Sequence, residues 1–95
     1  MPQAARHRDI CSGHGCWPPR PNAVASPDVF TNSRGQHRQT DAWEVHCCGP
    51  ACHGSVTAKG SSTVFVNSLP AARVGDPVAC GSAIMTGSTN VFIGG

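Results

Sequence analysis

The sequence predicts a small all-β domain built from short strands and tight turns. Strand-forming residues dominate its apolar set, because nine valines and three isoleucines stand against one leucine and two methionines. Residues that favour helices are scarce, since the chain has one glutamate and one lysine. Eleven glycines and eight prolines among 95 residues require many turns. This composition excludes a helical bundle and a coiled coil.

A short unit that occurs three times supplies the predicted strands. The copies read V-F-T-N-S at residues 29–33, V-F-V-N-S at 64–68 and V-F-I-G-G at 91–95. They contain all three phenylalanines of the protein, each at the second position. A turn-like tetrad precedes every copy, so each repeat reads as turn, strand and turn. We therefore expect a single domain over residues 1–95, wound in three passes with pseudo-threefold symmetry.

A second motif, Arg-x-x-Asp, is interleaved with the first. Its copies begin at Arg6, Arg38 and Arg73. We expect each arginine to pair with its own aspartate across a turn. A potential metal ligand follows each aspartate by four or five residues, and these ligands are His14, His46 and Cys80. If the three passes surround one axis, the three side chains converge on that axis.

The sequence thus predicts a structural metal site. His53 is the natural fourth ligand, because it lies seven residues after His46 and within reach of the same point. A set of three histidines and one cysteine is typical of zinc, and four protein ligands close its coordination sphere. The predicted site is His14, His46, His53 and Cys80. No position then remains for a catalytic water.

The remaining histidines and cysteines leave alternatives open. A rival site would use Cys11 or Cys16 in place of His53. We expect His7 and His37 to be solvent-exposed and not to bind metal.

A disulfide between the adjacent Cys47 and Cys48 would be strained, so one of them is expected to pack as a small apolar group. Cys52 could pair with Cys16 or Cys47 after release into an oxidising space. Trp17 is expected to cover a loop, and Trp43 to pack beneath the Asp41 turn.

Residues 60–76 read G-S-S-T-V-F-V-N-S-L-P-A-A-R-V-G-D, and this run resembles the PAAR-repeat family of spike-tip proteins. A degenerate copy at residues 32–41 has Gly35-Gln36-His37 where the motif has Pro-Ala-Ala. The resemblance extends from Arg6 to Gly95. It implies a small cone of short strands with zinc near the apex, held by three histidines and one cysteine. It also implies a base that binds the blunt end of a trimeric spike, one copy per trimer.

The function that this resemblance implies is structural and not enzymatic. Such proteins cap and sharpen the spike of a type VI secretion system (a VgrG-like trimer) or of a contractile phage tail. They aid membrane puncture through transient contact with the target membrane, and they could recruit effector proteins. The implied localisation is cytoplasmic when assembled and extracellular after firing, or the tail tip of a phage virion. Because the sequence ends at Gly95, we expect no attached toxin.

Two alternative functions come from other classes. A small zinc-dependent hydrolase or nuclease would need an open metal position and a general base. Three of the five carboxylates are already explained by the Arg-x-x-Asp motif. A nucleic-acid module would need a basic face with aromatic platforms, whereas the net charge is +2 and tyrosine is absent. The polar N-terminus lacks a signal-peptide core, so we expect synthesis in the cytoplasm.

Overall fold

Six short strands, joined by turns and extended segments, make up the computed structural model of residues 1–95. They are β1 (Phe30–Thr31), β2 (Arg34–Gly35), β3 (Ala42–Cys48), β4 (Ala51–Val56), β5 (Phe65–Val66) and β6 (Leu69–Pro70). The strands pair as three antiparallel hairpins, β1–β2, β3–β4 and β5–β6. The all-β prediction is confirmed. The protein contains no helix of the length and apolarity that crossing a membrane requires.

The hairpins β1–β2 and β5–β6 are two copies of the repeated unit. Asn32-Ser33 and Asn67-Ser68 form their turns, with φ values of 53° and 65° in both copies. Positive φ at both central residues defines the type I′ turn, whose twist suits a two-residue hairpin. Asparagine tolerates this left-handed backbone better than most residues do. The Asn-Ser pair therefore sets the geometry of each hairpin.

The third copy of the unit pairs with the N-terminal segment of the chain through an isolated β-bridge. Phe92 pairs antiparallel with Gln3, and the Ile93 N–H donates to the carbonyl of Pro2 at 2.9 Å. The N-terminal residues 2–6, P-Q-A-A-R, thus take the place that residues 69–73, L-P-A-A-R, hold in the second copy. This pairing is not apparent from the sequence, because its two segments lie at opposite ends of the chain.

Three backbone hydrogen bonds form a closed ring that links the passes. Ala5 N–H donates to the Ala72 carbonyl at 3.0 Å, Ala72 N–H to His37 at 2.9 Å, and His37 N–H to Ala5 at 3.0 Å. Each pass donates to one neighbour and accepts from the other. The predicted pseudo-threefold arrangement is therefore present in the backbone itself.

Side chains repeat the same threefold pattern on both sides of the ring. In each copy a buried serine hydroxyl accepts the backbone N–H of the first valine at 2.9 Å. These serines are Ser26, Ser61 and Ser88. In each Arg-x-x-Asp turn the arginine donates three hydrogen bonds of 2.7–3.1 Å to its aspartate. The expected pairing of arginine with aspartate is confirmed in all three turns.

The buried apolar side chains form two separate clusters. The basal cluster packs beside the repeated strands and consists of Ala4, Val66, Ala71 and Ile93. The apical cluster consists of Ala5, Cys11, Trp43, Ala72, Val78 and Ile84, and Cys80 packs against it. Neighbouring alanines alternate between the clusters, as side chains on an extended backbone do. Trp43 is buried in the apical cluster.

Gln36 and His37 take the places of the two alanines in the first pass. The Gln36 amide accepts the Thr31 hydroxyl at 2.7 Å and donates to the carbonyls of His37 and Ala72. Thr31 itself lies where the second pass has Val66. The degenerate copy of the motif therefore carries a polar pair, Thr31 and Gln36, in place of an apolar one.

The expectation that His37 is solvent-exposed is wrong, because its side chain is fully buried. Its Nδ1 lies 2.8 Å from the Val24 carbonyl and its Nε2 lies 2.7 Å from the Thr57 hydroxyl. The carbonyl requires the proton on Nδ1, so Nε2 accepts from Thr57, which in turn accepts from Trp43 Nε1 at 2.9 Å. Burial lowers the pKa of His37. The neutral ring is thus a satisfied core residue.

Thr31 and Gln36 should behave as a coupled pair in stability measurements. Gln36→Ala leaves the buried Thr31 hydroxyl without its acceptor, and Thr31→Val leaves the Gln36 oxygen without its donor. We expect each single substitution to cost about 1–3 kcal/mol. The double substitution restores the apolar pairing of Val66 with Ala71 and should cost less than the sum of the singles. Urea unfolding of the four proteins tests this coupling, and additive costs would contradict it.

Candidate metal centre

Four side chains from three separate parts of the chain meet at one point. His46 on β3 and His53 on β4 are register partners, so both rings extend from the same face of the hairpin. His14 begins a tight turn closed by two backbone hydrogen bonds with Trp17. Cys80 lies in the turn between Val78 and Ser82. One potential ligand atom of each residue lies within 4.8 Å of the other three.

The three imidazoles point their Nε2 atoms at one another. His53 Nε2 lies 2.8 Å from His46 Nε2 and 3.0 Å from His14 Nε2. On His46 the other nitrogen, Nδ1, donates to the Pro18 carbonyl at 2.8 Å, which leaves the Nε2 lone pair free. Partial burial and the neighbouring His46 lower the pKa of His14 and of His53. Both effects favour the neutral form of these two rings, and ring nitrogens that converge in this way fit a bound cation.

Trp17 lies over two of these rings. Its indole is stacked on His14 with a centroid distance of 5.1 Å and an angle of 22°. It lies 5.1 Å from His53 as well, and its Nε1 donates to the Ala51 carbonyl at 2.9 Å. The loop that Trp17 was expected to cover is thus the one that carries His14. The indole shields the histidine cluster from solvent on this side.

Arg20 contacts the cysteine side of the cluster. Its guanidinium is 4% exposed and forms no salt bridge, in contrast to the arginines of the Arg-x-x-Asp turns. It donates to Cys11 Sγ at 2.9 Å and to Cys80 Sγ at 3.6 Å. Burial disfavours the Cys80 thiolate, but hydrogen bonds from Ser82 and Arg20 outweigh it and lower the pKa of Cys80. The thiolate is the form of cysteine that binds metal.

The other cysteines do not join the cluster. Cys11 is buried against Arg20, and Cys16 forms a disulfide with Cys48. The rival sites that used Cys11 or Cys16 are therefore not the arrangement that the structure assembles. His7 is also outside the cluster, with its Nε2 3.3 Å from the Ala23 carbonyl.

The expectation that Cys47 or Cys48 packs as a small apolar group is wrong, because both form disulfides. Cys47 is bonded to Cys52, which is one of the two pairings considered for Cys52. The strand register explains this pairing, since Cys47 and Cys52 face each other across the β3–β4 hairpin. Locating the turn at Gly49-Pro50 would have revealed it from the sequence.

The fold and the cluster define a class of protein: a small, three-pass β domain with a closed set of metal-type ligands. The family model for the PAAR motif matches residues 13–86 of this chain. The match covers most of the chain and includes all four residues of the cluster. The protein belongs to the PAAR-motif family.

Three bacterial toxins are similar to this chain. It is 42% identical over 74 residues to the NAD(P)(+) glycohydrolase toxin Tse6 of Pseudomonas aeruginosa, over 72% of this chain and 17% of the toxin. The same values hold for the (p)ppApp synthetase toxin Tas1 of Pseudomonas aeruginosa. The double-stranded DNA deaminase toxin A of Burkholderia cenocepacia is 38% identical over 76 residues, which are 76% of this chain and 5% of that toxin. The chain thus corresponds to a small part of each relative.

Proposed function

We propose that this protein is a structural tip that caps the end of a trimeric spike in a contractile injection machine. One observation carries the proposal: a single chain presents three equivalent apolar side chains about a pseudo-threefold axis. These are Phe30, Phe65 and Phe92, with exposed fractions of 61%, 56% and 48%. The valines that precede them are exposed by 39%, 38% and 36%. Membership of the PAAR-motif family supports the same function.

The near-equality of the three copies favours a threefold partner. A trimer whose axis coincides with the pseudo-threefold axis meets the same valine and phenylalanine three times, so one chain suffices per trimer. Large aromatic side chains at the centre of an interface contribute most of its binding energy. The ring of hydrogen bonds among Ala5, His37 and Ala72 links the three passes and so fixes the spacing of the repeated units. A VgrG-like or phage-tail spike is the partner that fits this surface.

The metal in this proposal is one structural zinc ion held by His14, His46, His53 and Cys80. Three imidazoles and one thiolate form a complete tetrahedral set for zinc. When bound, zinc supplies four directional bonds that connect the His14 turn, the β3–β4 hairpin and the Cys80 turn. The chain's own residues prepare this set, because Pro18 orients His46 while Arg20 and Ser82 favour the Cys80 thiolate. Because the ligand set is complete, the proposed function is mechanical and not enzymatic.

The toxin relatives support a further part of the proposal, a role beside effectors. In those proteins a region like this chain accompanies a much longer sequence with a named toxic activity. We propose that this domain serves delivery, with assembly in the cytoplasm and transfer out of the cell on firing. In a phage the equivalent position is the tip of the tail.

The test of the spike-tip proposal is binding to a cognate trimeric spike fragment, analysed by native mass spectrometry. We expect one copy of this chain per trimer. Phe65→Ser should weaken binding by about tenfold or more, as loss of an interface anchor does. Val45→Ser is the matched control, because Val45 is 63% exposed and lies outside the repeated units. Three copies per trimer, or equal effects of the two substitutions, would refute the proposal.

A further inference from the structure

Two disulfides lie directly beside the metal-type cluster. Cys16 is bonded to Cys48, with their Cα atoms 5.4 Å apart, and Cys47 is bonded to Cys52, with their Cα atoms 4.1 Å apart. Cys11 and Cys80 remain free. Four of the six cysteines therefore tie together the segments that carry the histidines, whereas the cysteine inside the cluster keeps its thiol.

The Cys16–Cys48 disulfide connects two different ligand segments. Cys16 follows His14 by two residues, and Cys48 follows His46 by two residues along β3. Residues two apart on a strand face the same side, so Cys48 and His46 share the face of β3 that meets the His14 turn. This bond therefore fixes the His14 turn against the strand that carries His46.

The Cys47–Cys52 disulfide lies within one hairpin. Its two residues are register partners immediately next to the His46–His53 pair. Antiparallel strand pairing already holds His46 opposite His53, so this bond adds little to their alignment. It closes a sequence separation of 5 residues, compared with 32 for Cys16–Cys48. Longer closed loops restrict a flexible chain more.

We propose that Cys16 and Cys48 form a redox-sensitive clamp, whose disulfide state sets the metal affinity of the centre, and that the Cys47–Cys52 disulfide contributes little to it. The inference rests on the proposed metal site. In the oxidised protein the three histidines are already in place, so metal binding orders little additional chain. In the reduced protein the His14 turn must be ordered when the metal binds, which reduces the affinity. Linkage is reciprocal, so bound metal also favours the oxidised form.

The oxidation uses a small-molecule disulfide such as oxidised glutathione. One cysteine thiolate attacks this disulfide, forms a mixed disulfide and releases one small thiol. The second cysteine thiolate attacks the protein sulfur of the mixed disulfide and releases the other small thiol. Each protein disulfide thus forms as two thiols give up two electrons and two protons, and one small-molecule disulfide becomes two thiols. In reducing compartments such cysteine pairs remain free thiols, and in oxidising compartments they form disulfides.

The experiment compares the full-length chain in two states, reduced and equilibrated with oxidised glutathione. Alkylation followed by mass spectrometry counts free thiols, and we expect six in the reduced state and two in the oxidised state. Zinc alone is the probe, and its affinity is measured by competition with a chelator. We expect the oxidised chain to bind zinc about tenfold or more tightly than the reduced chain.

Two double variants show which of the two disulfides changes the zinc affinity. Cys16→Ser with Cys48→Ser should abolish most of the affinity difference, because it frees the His14 turn from β3. Cys47→Ser with Cys52→Ser should preserve most of it, because strand pairing persists. Equal zinc affinity of the two redox states, tighter binding by the reduced chain, or an undiminished difference in the Cys16/Cys48 variant would overturn the clamp alone. Failure of both states to bind zinc would overturn the proposed metal site as well.

Discussion

Chelation of metal from the proposed centre should lower the melting temperature of this protein by at least about 10 °C, because a loss of only about 2 kcal/mol produces roughly that shift at about 4–8 °C per kcal/mol in a domain of this size. Structural zinc contributes on the order of 10 kcal/mol in small peptides. The apical cluster around the centre has six members, three of which are alanine or cysteine, so little apolar area is available to replace the metal. The disulfides, the ring and the Arg-x-x-Asp turns should keep the rest of the chain folded. We therefore expect a large loss of stability without complete unfolding.

Substitution of one ligand should reproduce the effect of the chelator. His46→Ala removes a side chain that is 4% exposed and whose Nε2 lies 2.8 Å from that of His53. Thermal unfolding of this variant should be insensitive to chelator, whereas His7→Ala, which changes a histidine outside the cluster, should respond as the wild type does. His53→Ala, at a half-buried position, is a second variant with a smaller packing loss. An unchanged melting temperature of the wild type in excess chelator would show that no metal stabilises the fold.

Asp41→Ala should cost about 3–5 kcal/mol of folding free energy, the usual loss when one partner of a buried ion pair is removed. The Asp41 carboxylate is 5% exposed and accepts the Arg38 backbone N–H at 2.9 Å and two guanidinium N–H groups at 2.8 Å. The same guanidinium also donates to Asn67 at 2.9 Å and so ties this turn to the second repeated unit. Removing the carboxylate leaves the largely buried Arg38 guanidinium, which is 12% exposed, with Asn67 as its remaining acceptor, and leaves the Arg38 backbone N–H without its partner.

Glu44→Ala provides the matched control for this prediction. The Arg8–Glu44 pair has a similar distance, 2.9 Å, but both side chains are about half exposed. Exposed pairs contribute about 0–1 kcal/mol because solvent and salt screen them. In urea unfolding of the metal-loaded variants, the free energies of unfolding of Asp41→Ala and Glu44→Ala should therefore differ by several kcal/mol. The losses caused by Asp9→Ala and Asp76→Ala should be similar to that of Asp41→Ala. Similar costs for Asp41→Ala and Glu44→Ala would contradict this account of the turns.

Features that depend on contacts between residues close together in the sequence could be predicted, whereas features that depend on distant residues could not. The repeated Val-Phe units and the Arg-x-x-Asp turns are local, since each aspartate binds an arginine three residues away. The residues that meet at the metal centre were located because three repeats carry their ligands at nearly equal distance from these turns. His37 was misjudged for the opposite reason, since its partner Thr57 lies 20 residues away. No residue near His37 in the sequence indicates that Thr57 will be its buried hydrogen-bond partner.

The amino-acid sequence alone determined the all-β class, the three passes, the aspartate turns and the candidate ligands, because these depend on composition and on contacts within a few residues. Tertiary structure decided three further features. The N-terminal segment pairs with the third repeated unit, and both lie outside the region that the family model matches. Arg20 reaches Cys80 across 60 residues, and Cys16 pairs with Cys48 across 32. Pairings between distant segments depend on how the whole chain folds, and the spacing of residues in the sequence does not specify that fold.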